Sequence, residues 1–291
     1  MHRSQFTDRA MAILLRMAAS TTILIVVLIF AFLFKEAFPF VRDPGLSALV
    51  GTRWIPESFQ QSLYGIVPLI TGSIVVTALA LLVATPVSVC GAVYISELAG
   101  PREREMLKPF IELVAAIPSV VLGFFGLVVL APLVKTVFHI DSGLTALTGA
   151  LLLALMAIPT IMTISEDAIR NVPTSYKEAS MALGASRMQT VWRVTVPAAL
   201  SGIVAAIMLG MGRIVGETMV VLMVTGNAAI VTFSPFDSVR TMTATVAAEM
   251  GEVSFGSTHY QALFWIGLVL LASTFLLNWI AQRVLRKYQR S

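Results

Sequence analysis

Long runs without a charged residue are the feature that most limits what this chain can fold into. Five such runs are long enough to cross a bilayer, and they occupy residues 17–34, 58–96, 113–134, 142–165 and 253–282. A further apolar run, 194–236, is interrupted only by Arg213 and Glu217. A chain that is 57% hydrophobic and 12% charged does not have the composition of a soluble globular protein. Because a bilayer core needs about 20 apolar residues per helix, the sequence predicts six membrane-spanning helices.

The predicted fold class is all-α, a polytopic membrane protein. The spans are expected at roughly 17–37, 66–93, 110–134, 144–167, 199–225 and 259–283. An outer-membrane barrel is not favoured, because its strands would show short alternating segments rather than unbroken apolar runs. Phe34-Lys35-Glu36 follows the first apolar run where a secretory signal would have a small-residue cleavage site. The first span is therefore interpreted as a retained anchor.

The distribution of Lys and Arg predicts the orientation. If the N-terminus is inside, the inner segments hold 14 of the 20 basic residues, the outer segments hold five, and Arg213 lies within a span. Basic residues concentrate on the cytoplasmic side of membrane proteins, so both termini are expected in the cytoplasm. The expected layout is a cytoplasmic segment at 1–16, an outer loop at 38–65, a main membrane domain at 66–283 with an inner loop at 168–198, and a basic tail at 284–291. The net charge of +4 is then explained by the basic residues that set the orientation in the membrane. It predicts a lipid environment and no nucleic-acid partner.

The inner loop contains a polar segment, residues 166–197, between two long apolar runs. A short helix is expected from Pro173 to Gly184, with the glycine ending it. Such a helix lying on the cytoplasmic face has the shape to enter a groove on a partner protein. Within the segment, Glu178, Ala179 and Ser180 are followed by Gly184 and then by Pro197.

This spacing resembles the EAA loop of ABC importer permeases, in which Glu-Ala-Ala is followed by Gly and then by Ile-x-Leu-Pro. Glu178, Ala179, Gly184 and Pro197 match that pattern, whereas Ser180, Val194 and Val196 depart from it conservatively. The resemblance implies that Glu178, Ala179, Ser180, Gly184 and Pro197 form the segment that docks into an ATPase subunit. We expect Pro197 to open the fifth span, so that force applied to the loop travels along one continuous helix.

Arg213 and Glu217 are the two charged residues of that fifth span. An ionised side chain near mid-membrane is costly and is expected to face the bundle interior or a water-filled path. Glu217 lies four residues after Arg213, on the same face of a helix, where the two side chains can pair. Two interpretations stay open: an internal ion pair that fixes helix packing, and a guanidinium that lines an anion path. Small residues nearby, Gly202, Ala206 and Gly210 in one row and Gly212 and Gly216 in another, allow close helix contacts.

Three motifs sharpen the resemblance. The run GRIVGETM at 212–219 with Gly226-Asn227, the run ELVAAIPS at 112–119 and the run ATPVS at 84–88 are similar to those of phosphate-specific (Pst-type) importer permeases, most closely the C subunit. The similarity covers the chain from the second span onward. It implies a type I ABC importer permease fold in the bacterial cytoplasmic membrane and a substrate path that includes Arg213, Glu217, Thr218 and Ser119.

The same resemblance implies a set of partners. These are a second, related permease, two cytoplasmic ATPase subunits that bind ATP-Mg, and an extracytoplasmic phosphate-binding protein. The chain itself has no Gly-rich Lys-Ser/Thr phosphate loop, so no cofactor and no catalytic residue are predicted in it. Other oxyanions such as sulfate or molybdate are an alternative cargo, against which the 212–219 run argues.

Other function classes are less well supported. An ion-coupled secondary transporter would have no use for the pattern from Glu178 to Pro197 and would usually carry more intramembrane carboxylates. An intramembrane enzyme is not indicated, because the sequence has no His-Glu-x-x-His motif and its three histidines are far apart. Cys90 is the only cysteine, so neither an intrachain disulfide nor a cysteine metal cluster is possible.

Overall fold

The computed structural model describes residues 2–58 and 60–288, most of which are helical. The helices are α1 (His2–Ala37), α2 (Val67–Val93), α3 (Pro101–Ala116), α4 (Ser119–Phe125), α5 (Ala131–Phe138), α6 (Ala146–Arg170), α7 (Thr174–Ala182), α8 (Arg187–Thr190), α9 (Val196–Ala198), α10 (Leu200–Gly216), α11 (Met219–Val224), α12 (Met242–Glu249) and α13 (Thr258–Tyr288). Three π-helical turns extend α2 at Tyr94–Leu98, join α4 to α5 at Gly126–Leu130 and join α8 to α9 at Val191–Thr195.

The segment between α1 and α2 is ordered around a short hairpin. Strands β1 (Trp54–Ile55) and β2 (Leu63–Tyr64) pair antiparallel, with Trp54 opposite Tyr64. Two 3-10 turns, Phe38–Val41 and Leu46–Val50, precede the hairpin. Buried side chains of this segment form one apolar cluster with α13, which includes Phe40, Leu263 and Ile266. The predicted outer loop is therefore a packed cap on the helices rather than a plain connection.

Five helical stretches in the described part of the chain are long and apolar enough to cross a membrane. They are Met11–Val41, Val67–Leu98, Ser119–Phe138, Ala146–Arg170 and Thr258–Ile280. A sixth candidate is the bent pair Arg187–Ala198 and Leu200–Gly216. The all-α polytopic prediction is confirmed, and the predicted first, second, fourth and sixth spans coincide with these helices.

The third span begins later than predicted. The expected helix at 110–134 is divided at Ile117 and Pro118, where the backbone turns extended between α3 and α4. Pro118 has no N–H to continue the helical ladder, and a residue before proline avoids the helical region. The preceding helix α3 is polar and is joined to α6 by an ion pair between Lys108 Nζ and Glu166 Oε2, 2.8 Å apart.

Helix α6 lies at the centre of the bundle and packs against both α2 and α10. Small residues allow the close approach of α10, since a Cβ at Gly202 would lie 2.3 Å from Ala168 Cβ and one at Gly210 would lie 2.4 Å from Ile161 Cγ1. Ala206, between them, is completely buried. The predicted helix-contact face at these three residues is confirmed. This packing fixes the position of α10, which carries Arg213.

Candidate functional site

Helix α7 and the turn after it form the segment predicted to dock with a partner. Gly184 ends the helix with φ of 87°, a left-handed conformation that glycine adopts without a steric penalty. Its N–H donates to Met181 O at 2.9 Å, and the next N–H, of Ala185, donates to Ser180 O at 3.2 Å. This pair of bonds is the Schellman motif that satisfies the last carbonyls of a helix. The prediction that Gly184 terminates the helix is confirmed.

The EAA-like residues divide into two groups. Ser180 Oγ lies 2.9 Å from Thr190 Oγ1 and so joins α7 to α8. Glu178 and Ala179 are exposed and face away from the body of the chain. A Cβ at Gly184 would also meet nothing within 4 Å. Ser180 therefore braces the loop, whereas the other three residues present an open surface.

Large apolar side chains are also exposed in this loop, and sequence reasoning did not single them out. Leu183 is 90% exposed and Tyr176 is 54% exposed, while Met181, Met188 and Trp192 are each 49% exposed. These five residues belong to the polar inner loop rather than to a membrane span. Large apolar side chains left exposed outside the membrane spans are typical of an interaction site. Their presence within an otherwise polar segment was the available sequence signal.

Pro197 does not open the fifth span. It lies in the short helix α9, and α10 begins at Leu200. The axes of the stretches Arg187–Ala198 and Leu200–Gly216 differ by 67°. The expectation of one continuous helix from the loop to Arg213 is therefore wrong, because the backbone bends sharply at Ala199, between α9 and α10.

Arg213 lies near the end of α10 and points toward α6. Its Nη1 donates a hydrogen bond to Thr160 Oγ1 at 3.1 Å. Among the described residues no carboxylate forms an ion pair with it. A Cβ at Gly212 or at Gly216 would meet nothing within 4 Å, so the face of α10 beside Arg213 is open. A neutral hydroxyl thus holds a charged guanidinium next to unfilled space.

Glu217 does not pair with Arg213. Helix α10 ends at Gly216, and Glu217 adopts an extended backbone. Its Oε1 accepts hydrogen bonds from the N–H groups of Met219 at 3.0 Å and Val220 at 3.3 Å. These are first-turn donors of α11, which have no partner within the helix. The interpretation of Arg213 and Glu217 as an internal ion pair is therefore wrong, since the Glu217 carboxylate caps the next helix instead.

The break at Glu217 is supported from both sides. Thr218 precedes α11, and its Oγ1 donates to Gly216 O at 3.3 Å. Thr243, at the start of α12, donates to the backbone oxygen of Glu217 at 2.9 Å. These bonds satisfy polar groups that an interrupted helix would otherwise expose to an apolar environment.

Ser119 begins α4, which packs beside α11. A Cβ at Gly123, one turn after Ser119, would lie 3.5 Å from Met219 O, and one at Gly126 would lie 2.8 Å from Val224 Cγ1. The two helices therefore run in the same direction and start at a similar level. Ser119 and Thr218 lie near this common level, but among the described residues neither donates to or accepts from Arg213.

A polar cluster joins the hairpin to residues 240–259, which include α12 and the start of α13. Trp54 Nε1 donates to Glu249 at 3.0 Å, Arg240 Nη1 lies 2.6 Å from Glu249 Oε1, and His259 Nε2 lies 2.8 Å from Glu249 Oε2. Burial alone raises the pKa of Glu249, but the hydrogen bonds from His259 and Trp54 and the charge of Arg240 outweigh it. The pKa of this carboxyl therefore lies below its ordinary value of 4.5.

These features together define a class of protein. The chain is a helical integral-membrane protein with a broken helix, a charged residue beside an open face and an exposed polar loop. That combination is typical of a membrane transport protein.

The chain belongs to the family described as "Binding-protein-dependent transport system inner membrane component", whose family model matches residues 84–290. It is 41% identical to the probable ABC transporter permease protein YqgH of Bacillus subtilis over 228 residues, which are 78% of this chain and 74% of that protein. It is 34% identical to the phosphate transport system permease protein PstC 1 of Mycobacterium tuberculosis, covering 88% of this chain and 86% of that protein.

The fold agrees with that family. One chain in the crystal structure of a bacterial alginate ABC transporter superposes with a TM-score of 0.66 at 15% identity, covering 94% of each chain. The chain is thus a membrane permease subunit of an ABC importer and not an enzyme. Permeases of this kind work with ATPase and substrate-binding partners.

Proposed function

We propose that this chain is a permease subunit of an importer for inorganic phosphate in the bacterial cytoplasmic membrane. The observation that carries the proposal is the environment of Arg213. Its charge is held by the Thr160 hydroxyl and not neutralised by a carboxylate among the described residues. A planar guanidinium with spare donors suits phosphate oxygens. The 34% identity to a phosphate transport permease of Mycobacterium tuberculosis supports the same cargo.

The proposed path passes the open face of α10 beside Gly212 and Gly216. Ser119 begins a 20-residue span, and the positive end of such a helix dipole favours an anion. Thr218 and Ser119 supply hydroxyl groups close to the helix break. Glu217 acts indirectly in this proposal, by holding the start of α11 in place.

Phosphate import needs an energy source. Each negative charge that enters against an inside-negative potential costs about 2.3 kcal/mol per 100 mV. We propose that two cytoplasmic ATPase subunits supply this energy by binding and hydrolysing ATP-Mg, and that they dock on Glu178, Ala179, Gly184 and the exposed apolar side chains around them. The proposed complex also contains a second, PstA-like permease and an extracytoplasmic phosphate-binding protein. Both termini of this chain are then cytoplasmic.

The test is phosphate uptake by the purified complex in proteoliposomes. Arg213→Gln should lower uptake at least about tenfold, because an interaction with a charged group contributes about 1.5–3 kcal/mol. Arg213→Lys should keep part of the activity, since it retains the charge without the planar donors. Lys135→Gln is the matched control, because Lys135 is an exposed basic residue near the C-terminal end of the span Ser119–Phe138, away from the proposed path.

The amount of ATPase subunit that co-purifies should be the same for all four proteins. Unchanged phosphate uptake by Arg213→Gln would show that Arg213 has only a structural role, and the main support for the anion path would be lost.

A further inference from the structure

The inner end of α2 is held by basic side chains from three other helices. The last carbonyls of a helix have no partner within it. Here Arg104 of α3 donates to Ile95 O at 2.7 Å and to Ser96 O at 2.8 Å, and Arg187 of α8 donates to Glu97 O. Positive charge at a helix C-terminus is also favoured by the helix dipole. The π-helical turn at Tyr94–Leu98 is thereby fixed in place.

Glu97 adds an ion pair to the same point. Its Oε1 lies 2.5 Å from Lys177 Nζ of α7, and the two side chains are only 11% and 22% exposed. A pair this sheltered is screened less by salt than a surface pair. Glu97 thus receives bonds from two helices of the inner loop, through its carboxylate from α7 and through its backbone oxygen from α8.

This arrangement connects the inner loop to the membrane domain through side chains, in addition to its two covalent connections to α6 and α10. Along the chain the loop leads into α10, but the backbone between them bends by 67°. Helix α2, by contrast, runs unbroken from Val67 to Val93 and packs against α6. At its other end, Ser73 Oγ accepts from Met242 N–H at 3.0 Å, at the start of α12. A movement of the inner end of α2 therefore has a direct structural route to α12, which also contacts the break at Glu217.

We propose that Glu97 is a positioning residue that fastens the inner loop to α2, so that a displacement of the loop moves α2 together with α10. The inference rests on the proposed docking of ATPase subunits to this loop. Glu97 itself is nearly buried and lies outside the loop, so its replacement separates transmission from docking.

The experiment measures phosphate taken up per ATP hydrolysed by the full complex in proteoliposomes. Glu97→Gln keeps the shape of the side chain and removes its charge. We expect this ratio to fall about fivefold, in the range of coupling between residues in contact, while the ATPase subunits co-purify as with the wild type. Glu105→Gln, an exposed carboxylate of α3, is the matched control and should leave the ratio unchanged. A wild-type ratio for Glu97→Gln would overturn the proposal.

A cross-link tests the same idea within one protein. Glu97→Cys and Lys177→Cys are combined with Cys90→Ser, and the two new thiols are joined by a short bifunctional reagent. Bridging should raise the transport ratio above that of the unbridged protein, because it restores the fastening. If bridging leaves the ratio unchanged or lowers it, the loop and α2 do not move together and the proposal is wrong. A wild-type complex without phosphate uptake would instead refute the proposed function.

Discussion

Replacement of Gly184 separates two roles that the glycine could have in the inner loop. With φ of 87°, an alanine at this position would be strained by about 1–2 kcal/mol. That strain corresponds to a roughly 5–30-fold smaller population of the correctly formed turn. Asparagine and aspartate tolerate the left-handed region better than other residues. Since a Cβ at Gly184 meets nothing within 4 Å, no clash inside this chain adds to the cost.

If the glycine serves only the turn, Gly184→Asn should transport almost normally and Gly184→Ala should not. We expect a different result, because the open side of Gly184 lies beside Leu183 on the proposed docking surface. Gly184→Asn and Gly184→Asp should both lose ATPase subunits, with phosphate uptake abolished in the aspartate variant. Asparagine and aspartate differ in charge and not in shape. The difference in ATPase loss between the two variants therefore measures the electrostatic contribution to docking.

The assay is co-purification of the ATPase subunits together with phosphate uptake, and thermal unfolding of the permease alone is the control for folding. The unfolding temperature of the asparagine and aspartate variants should stay close to that of the wild type. Wild-type uptake and wild-type ATPase content in Gly184→Asn would refute the reasoning and leave Gly184 as a turn-forming residue only.

Two other predictions concern stability. Because Arg213 and Glu217 form neither an ion pair nor a hydrogen bond with each other, the effects of Arg213→Gln and Glu217→Gln on the free energy of unfolding should add. A coupling energy above about 0.5 kcal/mol would indicate an ion pair. Glu249→Gln should destabilise the protein by about 2 kcal/mol near neutral pH, since hydrogen bonds to a charged group are lost. The folded-state pKa of Glu249 is lowered, so its stabilising effect is present above pH 4.5 and is lost as the pH falls through the folded pKa. Thermal unfolding of both proteins should therefore converge in acid, and a gap that persists there would contradict this account.

Most spans could be predicted because the physics of the bilayer leaves few alternatives. An apolar run such as that of α6 or α13 must satisfy its backbone internally, and a helix does so without help from distant residues. The division at Pro118 has a similarly local cause, because a proline has no N–H to continue the helical ladder. The third span was nevertheless predicted to begin too early, at residue 110, because residues 110–116 are mostly apolar and were included in it.

The break between α10 and α11 could not be located in the same way. It depends on the Glu217 carboxylate turning toward the N–H groups of Met219 and Val220, and on Thr243 reaching back across 26 residues. A glycine followed by Glu-Thr is a possible helix end and restart, but the helical spacing of Arg213 and Glu217 suggested a pair instead. The same limit applies to Lys177 and Glu97, which are 80 residues apart in the sequence. Contacts of this kind follow from the packed fold and have no local pattern.

The central claim is that this permease carries phosphate with energy from partner ATPases. The most direct measurement is ATP-dependent uptake by the reconstituted complex, with its extracytoplasmic binding protein, of radiolabelled phosphate, sulfate and molybdate supplied in turn. Phosphate should accumulate in an ATP-dependent manner, and an excess of the other two oxyanions should not compete with it. Accumulation of sulfate or molybdate in place of phosphate, or phosphate entry that does not depend on ATP, would contradict the account.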